Sequence, residues 1–298
     1  MPTGRASPIG QVRGSRTESF LNISPHANRL ACVRITAVSS FVKLEWLDPY
    51  RLFASRVWIS RHAIKIAYDE AFAAFQRCHA LLKEELWAEF PGGTSDWFHA
   101  MANAENQPEP ARDRINDLHY TAEVENNLAD WQAAIVLMFA DETLQRFARG
   151  VLGRSHRAFD GYGPQYPDAT NCGRPVRLTT LLRAGTNAIR HVAEWDTPEF
   201  PFPYPTVPHC NRPRCSVCQA MYSIDVIQRV FGIGIHERIR DAVSMRVLIC
   251  VDGQLGTAAP DYTRLEEALL SAASEIAHKA SPAASTYLKG ALKSVSLS

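Results

Sequence analysis

Arg183, Asn187 and His191 recur at four-residue intervals within Leu178–Asp196. On a helix they share one face, because one turn takes about 3.6 residues. Those three residue types can cleave a phosphodiester without a metal. Arg clamps phosphate through a planar fork of donors. His, with an ordinary pKa of about 6.5, moves a proton at neutral pH. Asn orients either group. Arg190 and Glu194 flank the row, and the opposite stripe of Leu178, Leu182, Gly185, Ile189 and Val192 reads as a core face. The same row also reads as a solvated or interface face that carries polar residues at helical spacing.

The run Thr186-Asn187-Ala188-Ile189-Arg190-His191 sits on a late helix of an all-α chain. It resembles the signature of the HEPN superfamily of small helical-bundle ribonucleases, an Arg, often followed by Asn, a short interval before a His. Asn187 and His191 match the Asn-x-x-x-His part. Thr186 stands where the family places its Arg, and Arg183 is the nearest upstream Arg on that face. The resemblance implies a metal-independent endoribonuclease that acts on RNA and needs no cofactor for catalysis. In it His191 carries the proton, Arg183 or Arg190 clamps phosphate and Asn187 orients. It further implies a homodimer with the site at its seam, and a role in phage defence or a toxin–antitoxin system beside an antitoxin or defence partner protein. Other Arg-to-His pairs, such as Arg56 with His62 and Arg229 with His236, fit the loose spacing through composition alone. The Asn187–His191 pair is what distinguishes this helix.

A second constellation is His209-Cys210 followed by Cys215 and Cys218 in a Pro-rich stretch. Cys-x-x-Cys on a turn lets two thiolates reach one Zn²⁺, and a tetrahedral structural site needs two further N or S ligands. Cys210 supplies a third, and His209, Cys172 or Cys250 the fourth. Reduced loop thiols are the competing reading. The series also has ferredoxin-like spacing, but the stretch before Cys250 reads as helix where that fold needs strands.

Several elements must position these groups. Ser60 is read as the N-cap of a long helix through Ile64, Tyr68, Ala71, Phe75 and Leu82 that ends near Phe90, before Pro91-Gly92-Gly93. A second long helix starts at Pro110-Ala111, with Ile115, Leu118, Ala122, Leu128, Trp131, Ile135, Met138 and Phe139 on its buried side. It runs to Leu152, with a break expected near Ala140-Asp141. Tyr120, Glu123, Asn127 and Asp130 form its solvated face. After the central helix, six Pro between Pro198 and Pro213 exclude regular helix. Ser223 is read as the cap of the next helix, His236–Val251 as another, with Arg246–Val251 alone also readable as a buried strand, and Thr263 as the start of a capping box opening the next. Thr286–Lys293 reads as a short last helix.

The predicted fold is mostly α, a helical bundle with a Pro-rich, Cys-containing loop insertion. Residues 1–34, rich in Ser, Arg, Pro and Gly, are expected to be disordered or loosely ordered. Residues 35–298 form the helical domain, with the insertion at 196–222. With 46% hydrophobic and 21% charged residues the composition is that of a globular protein, and the net charge of +1 argues against a strongly basic nucleic-acid binder. The apolar run Ala133–Ala140 is far shorter than the roughly 20 residues a bilayer span needs. No membrane and a cytoplasmic location are expected. Beside the ribonuclease reading stands one from a different class, a non-enzymatic helical interaction protein with a structural zinc site.

Overall fold

Asp48 and Pro49 begin the first helix. Asp48 Oδ1 accepts from the backbone N–H of Tyr50 at 3.0 Å and Arg51 at 3.2 Å, and Pro49 occupies a first-turn position whose N–H would find no partner inside the helix. The computed structural model describes residues 48–82, 109–153, 161–166, 175–195, 200, 202–203, 215–232, 243–253 and 259–296. The chain divides into Met1–Glu45 and Trp46–Ser298, and every described residue belongs to the second unit. The expected loose segment 1–34 therefore lies outside the described residues.

Among the described residues are seven helices and one two-stranded ribbon. They are α1 (Pro49–Ala80), α2 (Glu109–Leu152), β1 (Gln165–Tyr166), β2 (Val176–Arg177), α3 (Leu178–Trp195), α4 (Ser216–Phe231), α5 (Val243–Val251), α6 (Tyr262–Ala280) and α7 (Pro282–Ser296). The ribbon is antiparallel, with Gln165 opposite Arg177 and Tyr166 opposite Val176. The mostly helical fold agrees with the sequence reading. No described helix is long and apolar enough to cross a membrane.

Helices α1 and α2 form an antiparallel hairpin. Arg77 near the end of α1 bonds Glu125 in the first half of α2, Arg56 pairs with Glu142 further along, and Gly150 meets Pro49. A Cβ at Gly150 would come within 2.6 Å of the Pro49 ring, so the close approach requires glycine there. The buried stripe of α2 is mainly small: Ala122, Ala129, Ala133, Val136, Leu137 and Ala140, then Leu144, Phe147 and Ala148. Small side chains let α1 lie close. Helices α3, α5 and α6 pack against other parts of the same long helix, whose Leu137 and Leu144 join Leu181, Leu182, Leu248 and Ile276 in one core.

Several boundaries differ from the sequence reading. Ser60 lies inside α1, because the Asp48-Pro49 start is better and Phe53, Ala54 and Val57 extend the apolar stripe toward it. The expected end of this helix near Phe90 falls outside the described residues. Helix α2 runs unbroken past Ala140-Asp141, since the buried Asp141 carboxylate accepts from Gln145 and from Thr186 of α3 and needs no kink to reach a partner. Trp131 and Ile135 face outward, because the alanine stripe takes the core side. Helix α4 begins at Ser216, so the insertion does not extend to 222; Val217, Ala220, Met221 and Ile224 already follow helical spacing. Ser223 is interior to that helix. The cap of α6 is Asp261, whose carboxylate accepts from Thr263 N at 2.9 Å, and α7 is longer than the expected Thr286–Lys293.

Candidate functional site

Helix α3 is nearly enclosed. Leu178, Leu181, Leu182, Ala184, Thr186 and Ala188 are all buried, and Gly185 lets Val247 of α5 approach to 3.2 Å of where a Cβ would stand. The face with Arg183, Asn187 and His191 is consequently not one open surface.

Arg183 is half-buried. Together with Asp141, Gln145 and Thr179 it borders a void of about 10 Å³, roughly the room one water needs. Asn187 donates from Nδ2 to the Ser223 hydroxyl at 3.1 Å, and Ser223 donates onward to the Gln219 carbonyl at 3.0 Å. This chain staples α3 to α4. His191 lies at the exposed end of the row. Its Nδ1 is 3.0 Å from Glu194 Oε2, and its ring stacks on Trp195 with centroids 6.2 Å apart and planes 19° apart. Arg190 is exposed. At about 1.5 Å rise per residue, Arg183 and His191 are separated by ~12 Å along the axis. They share one face of the helix, about two turns apart. Asn187, between them, is engaged by Ser223.

Thr186 is committed to the contact with α2. Its side chain is fully buried, and its hydroxyl lies 3.0 Å from Asp141 Oδ2 and 3.1 Å from the Arg183 carbonyl. This position points into the α2 contact. A guanidinium here would have to enter the core.

Of the proposed metal ligands, Cys215 precedes α4 as its N-cap residue and Cys218 lies one turn on, both half-buried. Cys210, His209 and Cys172 lie outside the described residues. Cys250 is a core residue whose thiol burial pushes up to about 12. That suits an apolar thiol better than a thiolate ligand. Among the described residues no group of three or more His, Cys, Asp or Glu side chains is placed to hold a metal.

A buried polar cluster escaped the sequence reading. The Tyr68 hydroxyl donates a short hydrogen bond to Asp252, which also accepts from Asp261 N at 3.4 Å and lies 3.5 Å from Arg264 Nη1. The Asp252 side chain is fully buried, which raises its pKa, and burial likewise raises that of Tyr68. The cluster ties α1 to the α5–α6 connection. Asp130, expected on a solvated face, accepts from Ser244 Oγ at 3.1 Å and Met245 N at 3.0 Å, and so caps the first turn of α5.

The largest unexplained feature lies on the opposite side of the hairpin. Trp131 is 74% exposed, and Tyr120, Val124 and Ile135 are exposed on the same edge of α2. Leu128, Met138 and Phe139 are half-buried beside them. On α1, Ile59 (75% exposed) and Ile66 stand on the edge between Arg56 and Arg77, the two residues that reach across to α2. Arg56 also covers Phe139, its guanidinium 5.7 Å from the ring centroid. Two apolar stripes on one helix were the available signal: one of Ala and Val at helical spacing, another of Val124, Leu128, Trp131, Ile135 and Met138.

Two clefts of about 600 Å³ are found among the described residues. In one, Arg61 and Lys65 beside Trp58 are already paired with Glu266 and Asp69. In the other, Arg177 is held by the Gly163 carbonyl and Glu275.

No protein-family model, curated protein or solved structure matches the chain.

Proposed function

We propose that the protein is a non-enzymatic helical interaction module that docks through the outer edge of the α1–α2 hairpin. The observation that supports this is the run of Tyr120, Val124, Trp131 and Ile135, exposed along one edge of α2 and continued by Ile59 and Ile66 on α1. Single exposed apolar residues are ordinary, whereas a contiguous stripe rimmed by charge marks an interaction surface. Here the rim is Arg77 with Glu70 and Glu125 at one end and Arg56 with Glu142 at the other. On this reading Asn187 and Ser223 hold α3 and α4 together, which fits their mutual hydrogen bond.

A photo-reactive phenylalanine replacing Trp131 tests it in cells. It should yield a defined protein adduct that disappears when Ile135→Glu is added, while the same probe at exposed Glu267 yields none. Equal labelling at both positions, or none at 131, would remove the docking edge. Exposed-site substitutions usually shift stability by less than about 0.5 kcal/mol, so Ile135→Glu should remain folded.

A second reading, the RNA-cleaving one, rests on His191 at the open end of α3 with Glu194 on its Nδ1. A carboxylate there can orient the imidazole of a proton-carrying His. Arg190 or Arg183 would hold phosphate, and a dimer seam would complete the site. His191→Ala should then abolish RNA cleavage and any growth toxicity, and unchanged cleavage would sink the assignment. Either reading accommodates a structural zinc on Cys215 and Cys218, with Cys210 and His209 close by in sequence. Metal analysis tests this: stoichiometric zinc whose chelation lowers the melting temperature supports it, and zinc-free, chelator-insensitive protein removes it.

A further inference from the structure

The exposed edge of α2 has an internal order along its length. Val124, Leu128, Trp131, Ile135 and Met138 alternate four- and three-residue steps, the spacing of a left-handed coiled-coil seam. Before the seam the same stripe carries Asp113 and Asp117, both exposed; beyond it come Glu142, which pairs with Arg146 and Arg56, and then Arg146 and Arg149, both exposed. Among the described residues no ion pair is found for Asp113 or Asp117. The edge thus carries net negative charge at one end, is apolar in the middle and carries net positive charge at the other, with Trp131 near its centre.

That polarity selects a partner. A two-fold axis near Trp131 lays a second α2 antiparallel on the first, seam on seam. The acids of each copy then lie along the arginines of the other, at both ends. A parallel pairing would oppose acid to acid and arginine to arginine. An isologous two-fold contact requires such a self-complementary patch. From Asp113 to Arg149 the edge is about 54 Å long and one helix diameter, ~10–12 Å, wide. With Ile59 and Ile66 of α1 widening it, the strip approaches the roughly 800 Å² per partner of a standard stable interface.

We propose that this edge is a homodimer interface, with a second copy of the chain packed antiparallel along α2 and Trp131 near the two-fold axis. The inference rests on the docking-edge reading and names its occupant.

Sedimentation of the full-length chain at micromolar concentration tests it. The expected mass is twice 33.2 kDa, falling to one chain in Ile135→Glu. Two charge variants keep the test decisive should that variant not fold. One carries Asp113→Arg with Asp117→Arg, the other Arg146→Asp with Arg149→Asp. Each alone should be monomeric, through like charge at both ends, and an equimolar mixture should recover the dimer. A wild-type chain that stays monomeric, or a dimer indifferent to these changes, overturns the proposal. If the monomer nonetheless cross-links through position 131 to a different protein, the docking edge stands and only its self-pairing falls. If neither is seen, both fall.

Discussion

The Thr186 hydroxyl lies 3.0 Å from Oδ2 of Asp141, in a contact between α3 and α2 that buries both side chains. The pair anchors the central helix and leaves no room for a longer side chain at position 186. Thr186→Val keeps the volume and removes the donor. The buried acceptor then loses a partner, at a cost of about 1–3 kcal/mol. Chemical denaturation should show that loss without a change in helix content. Thr186→Arg should be more damaging still, through overpacking and a buried charge.

Asp252 makes stability depend on pH in a particular direction. Burial raises its folded pKa above the unfolded value, so between the two values the native state holds the extra proton. Its contribution is fully present below the ordinary carboxylate range and is lost as pH rises through the folded pKa. The Tyr68 hydroxyl offsets part of that loss by donating to the carboxylate. Tyr68→Phe should therefore cost about 1–3 kcal/mol near neutral pH and clearly less near pH 4, where the acid is increasingly protonated. Denaturant titrations of both proteins at the two pH values measure this. An equal penalty at each would contradict the cluster's role.

Asp48 both caps α1 and accepts from the Tyr287 hydroxyl of α7 at 2.7 Å. Asp48→Ala should lower stability by about 1 kcal/mol, the ordinary value of a lost N-cap. Ser60→Ala, a cap-type residue inside α1, should leave it nearly unchanged. Thermal unfolding of the two variants side by side separates the two helix starts.

These outcomes show what was legible in the sequence. The span of α3 was, because Leu178, Leu182 and Gly185 sit on one stripe and Pro175 precedes it. The start of α1 was not: Ser60 is a sound cap by type, and nothing local shows that Asp48-Pro49 is a better one twelve residues earlier. Trp131 and Ile135 read as core in the sequence because an apolar stripe facing a partner has the same spacing as one facing the interior. Only the competing alanine stripe, which lets α1 lie close, decides between them. The polar row was legible as a face, but not the fate of each member. That Asn187 is held by Ser223 depends on α4 packing there, a long-range contact that spacing within α3 cannot reveal.

Asn187 and Ser223 should therefore behave as a structural pair. Asn187→Ala and Ser223→Ala should each destabilise the fold, with a coupling of about 0.5–1.5 kcal/mol in a double-mutant cycle. Additive losses, or loss of RNA cleavage in Asn187→Ala at unchanged stability, would return Asn187 to a catalytic role.

Hydroxyl-radical footprinting of Trp131 tests the docking edge most directly. In the assembled protein its oxidation should be strongly suppressed compared with Ile135→Glu at the same concentration, while Trp58, outside the edge, reacts alike in both. Equal reactivity of Trp131 in wild type and variant, at every concentration and in cells, would contradict the account.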